Sequence, residues 1–545
     1  MTDLSNSFTW LDWTVVFGYL GLTTWVGHLM RGKQASIKDF FLGGRSLPWP
    51  AVSGSIIATE ISGVTFIGVP GILMAMDGNF TYLQWAVGSI LARIVVGTVF
   101  VKVFYEREIF SPYDYMGFRL GEAVKKLATV LFTVGSILAQ SVRVMVAALP
   151  LKIVTPLPFE WCIIIIGTFA IGWTLMGGMR TVIWTDVMQF GLFVAGGLIA
   201  LLWMIGGFPE GWTTFFEVAN SVTTSDGGGK LQILNFDTDP TLKFTFWVAI
   251  FAVPFLNLNA FGVDQLNAQR MFCCKNASDA KKAIIISSFG QLVTLLMLAV
   301  GAALFVHYRL QPPTEPAIIA AMDWKDGVPA QPDNVFPVWI VTQLPIGLRG
   351  LILAGIFAAA ISSLDSILAA LSQTTLSMFF PPGSERAERK AGRLVVYSRI
   401  LVIAWGIVLT VFTFVLFGIK EKTDVLILPL AFGMTSYTVG PLLAMFLVAL
   451  FFRKRGSFSG LLVGAGVSVV LVMFVRTDVW VLFMNESLAE FLAGFPTFEL
   501  KDPLNPEAGV QPTLASEWMW PVTTVLTLIC GLVVPGRRNQ GDGGA

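Results

Sequence analysis

The sequence predicts an all-α polytopic membrane protein with about 13 transmembrane helices. Hydrophobic residues make up 55% of the 545 residues and charged residues only 13%, whereas a soluble globular protein carries about 25% charged residues. Apolar runs of about 18 residues or more, the length that a helix needs to cross a bilayer, recur along most of the chain. The lipid bilayer is therefore a predicted partner, and a net charge of +1 argues against binding to nucleic acid.

The spans are placed on the apolar runs between polar, basic or glycine-rich connections. The second and ninth are long and rich in glycine and serine. The predicted spans are 12–30, 50–76, 80–104, 122–150, 158–176, 181–206, 244–266, 283–308, 346–379, 394–418, 424–450, 457–475 and 516–535.

Lys and Arg are distributed unevenly between the connecting loops. If the N-terminus lies outside, the inside loops carry more than twice as many of these residues as the outside loops. Because basic loops favour the cytoplasmic side, we expect a multi-pass protein of the cell membrane with the N-terminus outside and the C-terminus in the cytoplasm. The long connections 207–243, 309–345 and 476–517 then lie outside.

The ninth span carries polar residues at its centre. Ser362, Ser363 and Ser366 share one side of the helix, and Asp365 lies beside them. An aspartate at this depth costs about 2.5–3.5 kcal/mol on insertion scales, so such residues usually serve a site. Oxygen ligands without soft ligands suit a hard cation such as Na⁺. The alternative is that the serine hydroxyls donate hydrogen bonds to backbone carbonyls of their own helix, and that their small side chains let neighbouring helices pack closely.

The second and seventh spans contain residues that interrupt helices. In the second span, Pro70 and several glycines flank the polar segment 59–65. A helix broken within the membrane frees backbone carbonyls, from which secondary transporters build ion and solute sites. Pro254 and Gly262 predict a break in the seventh span, five helices later, as an inverted repeat of five helices requires.

Three further ionisable residues lie inside predicted spans. Asp186 lies two turns inside the sixth span, and Arg93 is expected to snorkel or to bridge helices. Arg143 is followed by apolar and small residues. A buried guanidinium needs an anion, which is either a protein carboxylate or a solute carboxylate held by two parallel hydrogen bonds.

Four motifs together resemble the sodium:solute symporter family over essentially the whole chain. They are SIIATEISG at 55–63, GG-x5-WTD-x2-Q at 177–189, DQ-x3-QR at 264–270 and A-x2-SS at 359–363. The resemblance implies a LeuT-type fold with a 5+5 inverted repeat, formed by spans two to eleven, in which the first core helices are broken. The implied regions are an N-terminal helix and cytoplasmic loop at 1–49, a first core repeat at 50–206, a loop at 207–243, a second core repeat at 244–456 that includes loop 309–345, and peripheral helices at 457–545.

The resemblance also implies where ions and solute bind. The main Na⁺ site would use backbone oxygens of Ala58, Ile61 and Ala359 and the hydroxyls of Ser362 and Ser363. A second Na⁺ site, present in some members, would use Asp186, Ser363, Asp365 and Ser366, although members often carry Ser where Asp365 stands. Solute contacts are implied at Glu60, Ser62, Thr65, Gln84, Arg143 and Asn257. Arg143 is similar to the arginine that holds the carboxylate in members that bind sialic acid.

These features predict a symporter that imports a small organic solute by alternating access, with one or two Na⁺ as coupling ions. A carboxylate such as a sugar acid or a monocarboxylate is the leading solute, and a neutral sugar or an amino acid is the alternative. A cation channel is the remote alternative, since it would need a continuous polar pore, and an enzyme would need a catalytic motif such as HExxH. The sequence contains no such motif, so we predict no enzymatic activity, and it indicates no obligate protein partner.

Overall fold

The computed structural model describes residues 4–30, 42–75, 77–106, 109, 111–175, 179–224, 228–380, 391–423, 425–452, 455–502, 505 and 509–534. Helices dominate these ranges. Two short antiparallel hairpins also occur in loops, where β1 (Trp324–Lys325) pairs with β2 (Val328–Pro329) and β3 (Phe498–Leu500) pairs with β4 (Val510–Pro512). The predicted all-α class is confirmed.

The long helices and their partners at the breaks carry the fold. They are α1 (Trp10–Met30), α2 (Trp49–Glu60), α3 (Gly63–Met74), α4 (Phe80–Glu106), α5 (Glu122–Val154), α6 (Phe159–Thr174), α7 (Met179–Gly206), α8 (Phe246–Val263), α9 (Gln265–Met271), α10 (Ala277–Leu310), α11 (Leu348–Phe379), α12 (Ala391–Thr423), α13 (Ile427–Thr435), α14 (Val439–Phe451), α15 (Phe458–Met473) and α16 (Met519–Val533). Shorter helices in the connections include Pro112–Leu120, Trp212–Asn220, Pro316–Met322, Val335–Gln343 and Glu486–Ala493.

Each of the predicted spans is helical in the structure. Among the described residues, 8 helices are long and apolar enough to cross a membrane, or up to 10 spans if each of two bent helix pairs counts as one. Helix α1 and the shorter apolar helices α6 and α15 do not meet that length and hydropathy requirement. The chain is therefore a multi-pass membrane protein, while the figure of 13 crossings, the orientation of the termini and the repeat boundaries stay predictions.

The predicted break in the second span is confirmed. Helices α2 and α3 meet at 48°, because Ser62 is extended and its hydroxyl accepts a hydrogen bond from the Val64 N–H at 3.3 Å, which starts a new helix. Gly63 fits this junction, since a Cβ there would lie 3.1 Å from Val146 on α5. The break therefore lies against α5.

The seventh span is distorted rather than parted at Pro254 and Gly262. Pro254 lies at the start of a helical turn after a one-residue interruption at Ala252, and Gly262 lies in a π-helical turn at 259–263. The helix ends at Asp264, which is extended and caps α9 through the Leu266 N–H. Proline disrupts only the hydrogen bonds of its own turn, so Pro254 does not end the helix. The helix instead ends two residues beyond Gly262.

Helix α11 is the central helix of the bundle. In its most apolar stretch 94% of the residues are buried inside the protein, against 28% for α12. It packs against α1, α5, α7 and α12. This enclosure explains why polar residues of α11 face protein rather than lipid.

Several basic residues that the orientation argument counted as loop charges are buried. Arg270 and Lys230 are fully buried, and Arg349 pairs with Asp12 at 2.8 Å. Sequence position alone placed these residues in loops, whereas their side chains fold back onto helix ends. They therefore stabilise helix packing instead of marking a side of the membrane.

A buried lysine anchors loop 207–243 to the end of α3. The Lys230 Nζ donates hydrogen bonds to the carbonyls of Leu73 at 3.1 Å and Ala75 at 2.7 Å, and it lies 4.7 Å from the centre of the Phe305 ring. Burial lowers the pKa of Lys230 to about 8, so the amine still carries its charge at neutral pH. These bonds connect the loop to the broken helix.

Replacing Lys230 by methionine is expected to destabilise the protein by about 1–3 kcal/mol, because two buried carbonyls lose their donor. The measurement is the thermal unfolding midpoint of the purified protein in detergent. Lys325→Met is the matched control, since the Lys325 side chain is 68% exposed and its ion pair with Asp323 lies at the surface. Equal midpoints for the two variants would contradict the anchoring role.

Candidate ion and solute site

A cavity of about 220 Å³ lies at the break between α2 and α3. Its walls come from the broken helix, α4, α5, α8, α9, α10, α13 and α14. The polar side chains among the lining residues are Thr59, Glu60, Thr65, Tyr82, Ser89, Ser136, Gln140, Arg143, Asn257, Asn259, Asp264, Asn267, Gln291, Thr294, Thr435 and Thr438. A cavity with a few convergent polar groups is the usual form of a small-molecule site.

Four of the six residues predicted to contact solute line this cavity, namely Glu60, Thr65, Arg143 and Asn257. Asn257 accepts a hydrogen bond from the Ser89 hydroxyl at 3.0 Å and donates one to the Val253 carbonyl at 3.0 Å. These bonds fix its amide at the wall of the cavity.

The other two residues, Ser62 and Gln84, lie outside the lining. Ser62 is the cap that starts α3. The Gln84 amide donates to the carbonyls of Thr81 and Phe244, at 3.2 and 3.1 Å, and accepts from the Asn235 N–H at 3.2 Å. The structure therefore uses both side chains to hold backbone, and their assignment to solute stays a prediction.

Glu60 pairs with Arg93. Their side chains form an ion pair, and Gln291 donates a second hydrogen bond to the Glu60 carboxylate at 2.9 Å. Arg93 is fully buried, with its guanidinium carbon 4.1 Å from the centre of the Phe261 ring. Of the two alternatives for Arg93, bridging between helices is correct, and Glu60 is not the partner of Arg143.

Arg143 enters the same cavity with an unused donor. Its Nη2 donates to the Thr59 carbonyl at 3.1 Å, whereas its buried Nη1 has no hydrogen-bond partner among the described residues. Within the same part of the chain it forms no ion pair, although Asp264 lines the cavity too. The guanidinium is thus positioned to bind an anion in the cavity.

The predicted main Na⁺ ligands lie on facing segments of the broken helix and α11. Ser55 and Ser362 both donate to the Asp186 carboxylate, which bridges the two helices. Farther along, a Cβ at Gly63 would lie 4.0 Å from Ile356. Residue numbers rise from Ser55 to Gly63 along the broken helix, whereas the facing positions on α11 fall from Ser362 to Ile356. Ala359 therefore lies opposite the segment between Ser55 and Gly63.

The backbone at this point offers oxygen ligands. The carbonyls of Ala58 and Ile61 accept no backbone hydrogen bond within the described chain, because helix α2 ends at Glu60. Ser362 and Ser363 are buried on α11 across from them. Carbonyl and hydroxyl oxygens of this kind fit a hard monovalent cation.

The predicted second Na⁺ site contains a guanidinium. Arg270 is fully buried and donates to Asp186 at 3.1 Å, to Ser366 at 2.7 Å and to Ser55 at 2.9 Å. The Asp365 carboxyl is buried beside the Thr174 hydroxyl of α6. Asp186 therefore receives its counter-charge from the protein, and a Na⁺ at this position would have to share or displace Arg270.

Arg270 was not predicted as a site residue. Arg270 is the last residue of the motif DQ-x3-QR, but a basic residue near a helix end usually lies in a loop at the membrane surface. Only the packing of α9 against α2 and α11 brings it to Asp186.

A polytopic helical bundle with a broken helix beside a polar cavity is the architecture of secondary transporters. More particularly, residues 40–464 match the sodium:solute symporter family, and the chain belongs to that family. It is a Na⁺-coupled symporter of a small solute, with Na⁺ as its coupling ion.

Three relatives show the range of this family. The chain is 28% identical to the sodium/sialic acid symporter SiaT of Proteus mirabilis, over 86% of this chain and 90% of that protein. It is 27% identical to the sodium/glucose cotransporter of Vibrio parahaemolyticus, over 87% of each. It is 26% identical to the sodium-coupled monocarboxylate transporter 2 of Bos taurus, over 85% of this chain and 72% of that protein.

The fold is that of a solved structure of a Na⁺-coupled sialic acid symporter in a substrate-bound outward-open state. The TM-score is 0.77 with 22% sequence identity, covering 97% of this chain and 99% of that chain. The predicted LeuT-type fold is confirmed.

Proposed function

We propose that this symporter imports a small solute with one carboxylate together with Na⁺, and that Arg143 binds the carboxylate. The observation that carries the proposal is Nη1 of Arg143, which lies in the cavity wall without a hydrogen-bond partner in the described part of the chain. The rival partner, Glu60, is already paired with Arg93. A guanidinium binds a carboxylate through two parallel hydrogen bonds, which neither a neutral sugar nor an ammonium group offers.

Two of the three relatives are named for solutes that carry a carboxylate, and one is named for a neutral sugar. Sialic acid and monocarboxylates carry the group that Arg143 would bind, whereas glucose does not. Glu60 does not favour an amino acid, because Arg93 already neutralises its charge. Neutral sugars and amino acids are therefore the comparison compounds of the test.

Na⁺ binding would couple to the solute through the broken helix. The proposed main site takes Ala58 and Ile61 from the α2–α3 junction and Ala359, Ser362 and Ser363 from α11. A cation held by both segments favours the conformation in which they lie together, and that conformation also completes the cavity beside Glu60 and Arg143. Solute and Na⁺ then bind cooperatively.

The charge of the solute bears on stoichiometry. A tenfold Na⁺ gradient contributes about 1.4 kcal/mol per ion. One Na⁺ with one monoanion moves no net charge, so the membrane potential, about 2.3 kcal/mol per charge per 100 mV, contributes only if a second Na⁺ is carried. The proposed second site, Asp186 with Ser363, Asp365 and Ser366, is the place for that ion.

The excess of Lys and Arg in alternate loops supports a location in the cell membrane, with the N-terminus outside and the C-terminus in the cytoplasm. The proposed transport cycle has no enzymatic step and needs no obligate protein partner.

Uptake into liposomes containing only the purified protein tests the proposal. Labelled sugar acids, monocarboxylates, neutral sugars and amino acids are supplied with and without an inward Na⁺ gradient. We expect Na⁺-dependent accumulation of a carboxylate. Na⁺ flux that continues without solute would indicate a channel, and accumulation of a neutral sugar alone would refute the role of Arg143.

Replacing Ser362 or Ser363 by alanine is expected to raise the Na⁺ concentration for half-maximal uptake about tenfold. Each change removes one oxygen ligand, worth on the order of 1.4 kcal/mol, that no apolar neighbour replaces. Ser377→Ala makes the same change near the end of α11, away from the cavity, and should leave Na⁺ dependence unaltered. Unchanged Na⁺ dependence in both test variants would exclude these serines as ligands.

A further inference from the structure

Several polar side chains of the cavity wall carry buried atoms without a hydrogen-bond partner in the described part of the protein. Besides Arg143 Nη1, they are Gln140 Oε1, Asn259 Oδ1, Asn267 Oδ1 and Ser136 Oγ. All four of these further side chains are at least nine-tenths buried. A buried polar atom loses its hydration on folding and regains that energy only when it is paired, so the wall is built for a ligand with several hydrogen-bonding groups.

The unpaired atoms of α5 form a single stripe. Ser136, Gln140 and Arg143 are spaced at i, i+4 and i+7, which places them on the same face of the helix. The stripe extends over roughly 10 Å at 1.5 Å per residue. A solute lying along it would meet the guanidinium at one end, an amide in the middle and a hydroxyl at the other end.

The facing wall presents amide oxygens. The Asn267 Nδ2 donates to the Ala260 carbonyl at 2.8 Å, which leaves its Oδ1 as an acceptor for another group. Asn259 lies in the π-helical turn that precedes it, with its own Oδ1 unpaired among the described residues. Together with Gln140, these amides offer hydrogen-bond acceptors to the solute.

We propose that the solute is a polyhydroxylated monocarboxylate, that is, a sugar acid, with its hydroxyls bound by Gln140, Asn259 and Asn267. This inference rests on the proposed binding of the carboxylate by Arg143. An unsubstituted monocarboxylate would pair Nη1 of Arg143 but leave the three amide oxygens without a partner. A neutral sugar would pair the amide oxygens but leave Nη1 without a partner.

The charges of the cavity limit the solute to one carboxylate. Among the described residues that line the cavity, Arg143 is the one cationic side chain, because Arg93 pairs with Glu60 outside the lining. Glu60 and Asp264 add two protein carboxylates to the same wall. A second carboxylate on the solute would meet like charge without a partner.

Binding to the purified full-length protein in Na⁺ tests this. A panel of aldonic, uronic and ulosonic acids is compared with hexanoate, which has a carboxylate without hydroxyls, and with glucose, which has hydroxyls without a carboxylate. We expect at least one sugar acid to bind about 100-fold more tightly than hexanoate and glucose. Gln140→Leu and Asn259→Ala should each reduce the preference for that acid over hexanoate about tenfold. Gln311→Leu, in an exposed loop, should not.

The outcomes separate this inference from the proposed function. If hexanoate binds as tightly as every sugar acid, and both lose affinity in Arg143→Lys, carboxylate binding holds and the polyhydroxylated class is refuted. If glucose binds as tightly as the acids and Arg143→Lys changes nothing, both proposals fail. Two amide variants are used so that a folding defect in one, visible as a lowered unfolding midpoint, leaves the other to decide.

Discussion

Replacing Arg143 by lysine is expected to weaken binding of a carboxylate solute by about 10- to 100-fold. Lysine keeps the positive charge but loses the planar pair of donors, and a hydrogen bond to a charged group is worth about 1.5–3 kcal/mol. The bond to the Thr59 carbonyl at 3.1 Å would also lose its fixed geometry. The measurement is the Kd for the solute by titration calorimetry at saturating Na⁺.

The control for this prediction is Arg309→Lys, which makes the same change at the exposed end of α10. It should leave the Kd within about twofold, since exposed substitutions away from a site rarely have larger effects. Tight binding of an uncharged sugar by the unmodified protein, little altered in Arg143→Lys, would contradict the anionic solute.

Breaking the Asp186–Arg270 pair is expected to have the largest effect on stability. Both side chains are almost completely buried, so Asp186→Leu would leave a guanidinium without its counter-charge. Removing one partner of a buried pair costs about 3–5 kcal/mol. The thermal unfolding midpoint in detergent should fall far more than in Lys325→Met, which breaks an exposed pair.

A double variant separates charge from packing. Asp186→Leu combined with Arg270→Met removes both charges, and apolar replacements of similar volume often match or exceed the stability of a buried ion pair. The double variant should therefore unfold at a higher temperature than either single variant. A double variant as unstable as the sum of the two single changes would show that the pair contributes little beyond the shape of its side chains.

Asp186 also belongs to the proposed second Na⁺ site. If Na⁺ binds there, Asp186→Ala, which likewise removes the counter-charge of Arg270, should lower the Hill coefficient for Na⁺ towards one in the protein that still folds. A coefficient of one in the unmodified protein, with no net charge moved per monoanion, would show that Asp186 serves Arg270 alone.

The sequence by itself determined those features that depend on composition and on spacing along one helix. The apolar runs, a break in the second span near its polar segment 59–65 and the polar side of α11 around Ser362 are all of this kind, because each follows from residues within a few turns of one another. The four motifs likewise identified the family from short segments. The break near Pro254 was displaced to Asp264, since a local signal does not set where a helix finally ends.

Only the tertiary structure decided which charges pair and which polar atoms stay free. Glu60 bonds to Arg93, 33 positions away, and Asp186 bonds to Arg270, 84 positions away. Sequence spacing does not specify such pairs, because they depend on the packing of helices from distant parts of the chain. The same packing leaves Arg143 Nη1 and Gln140 Oε1 without a hydrogen-bond partner among the described residues, and an unpaired buried atom is recognisable only once all its neighbours are known.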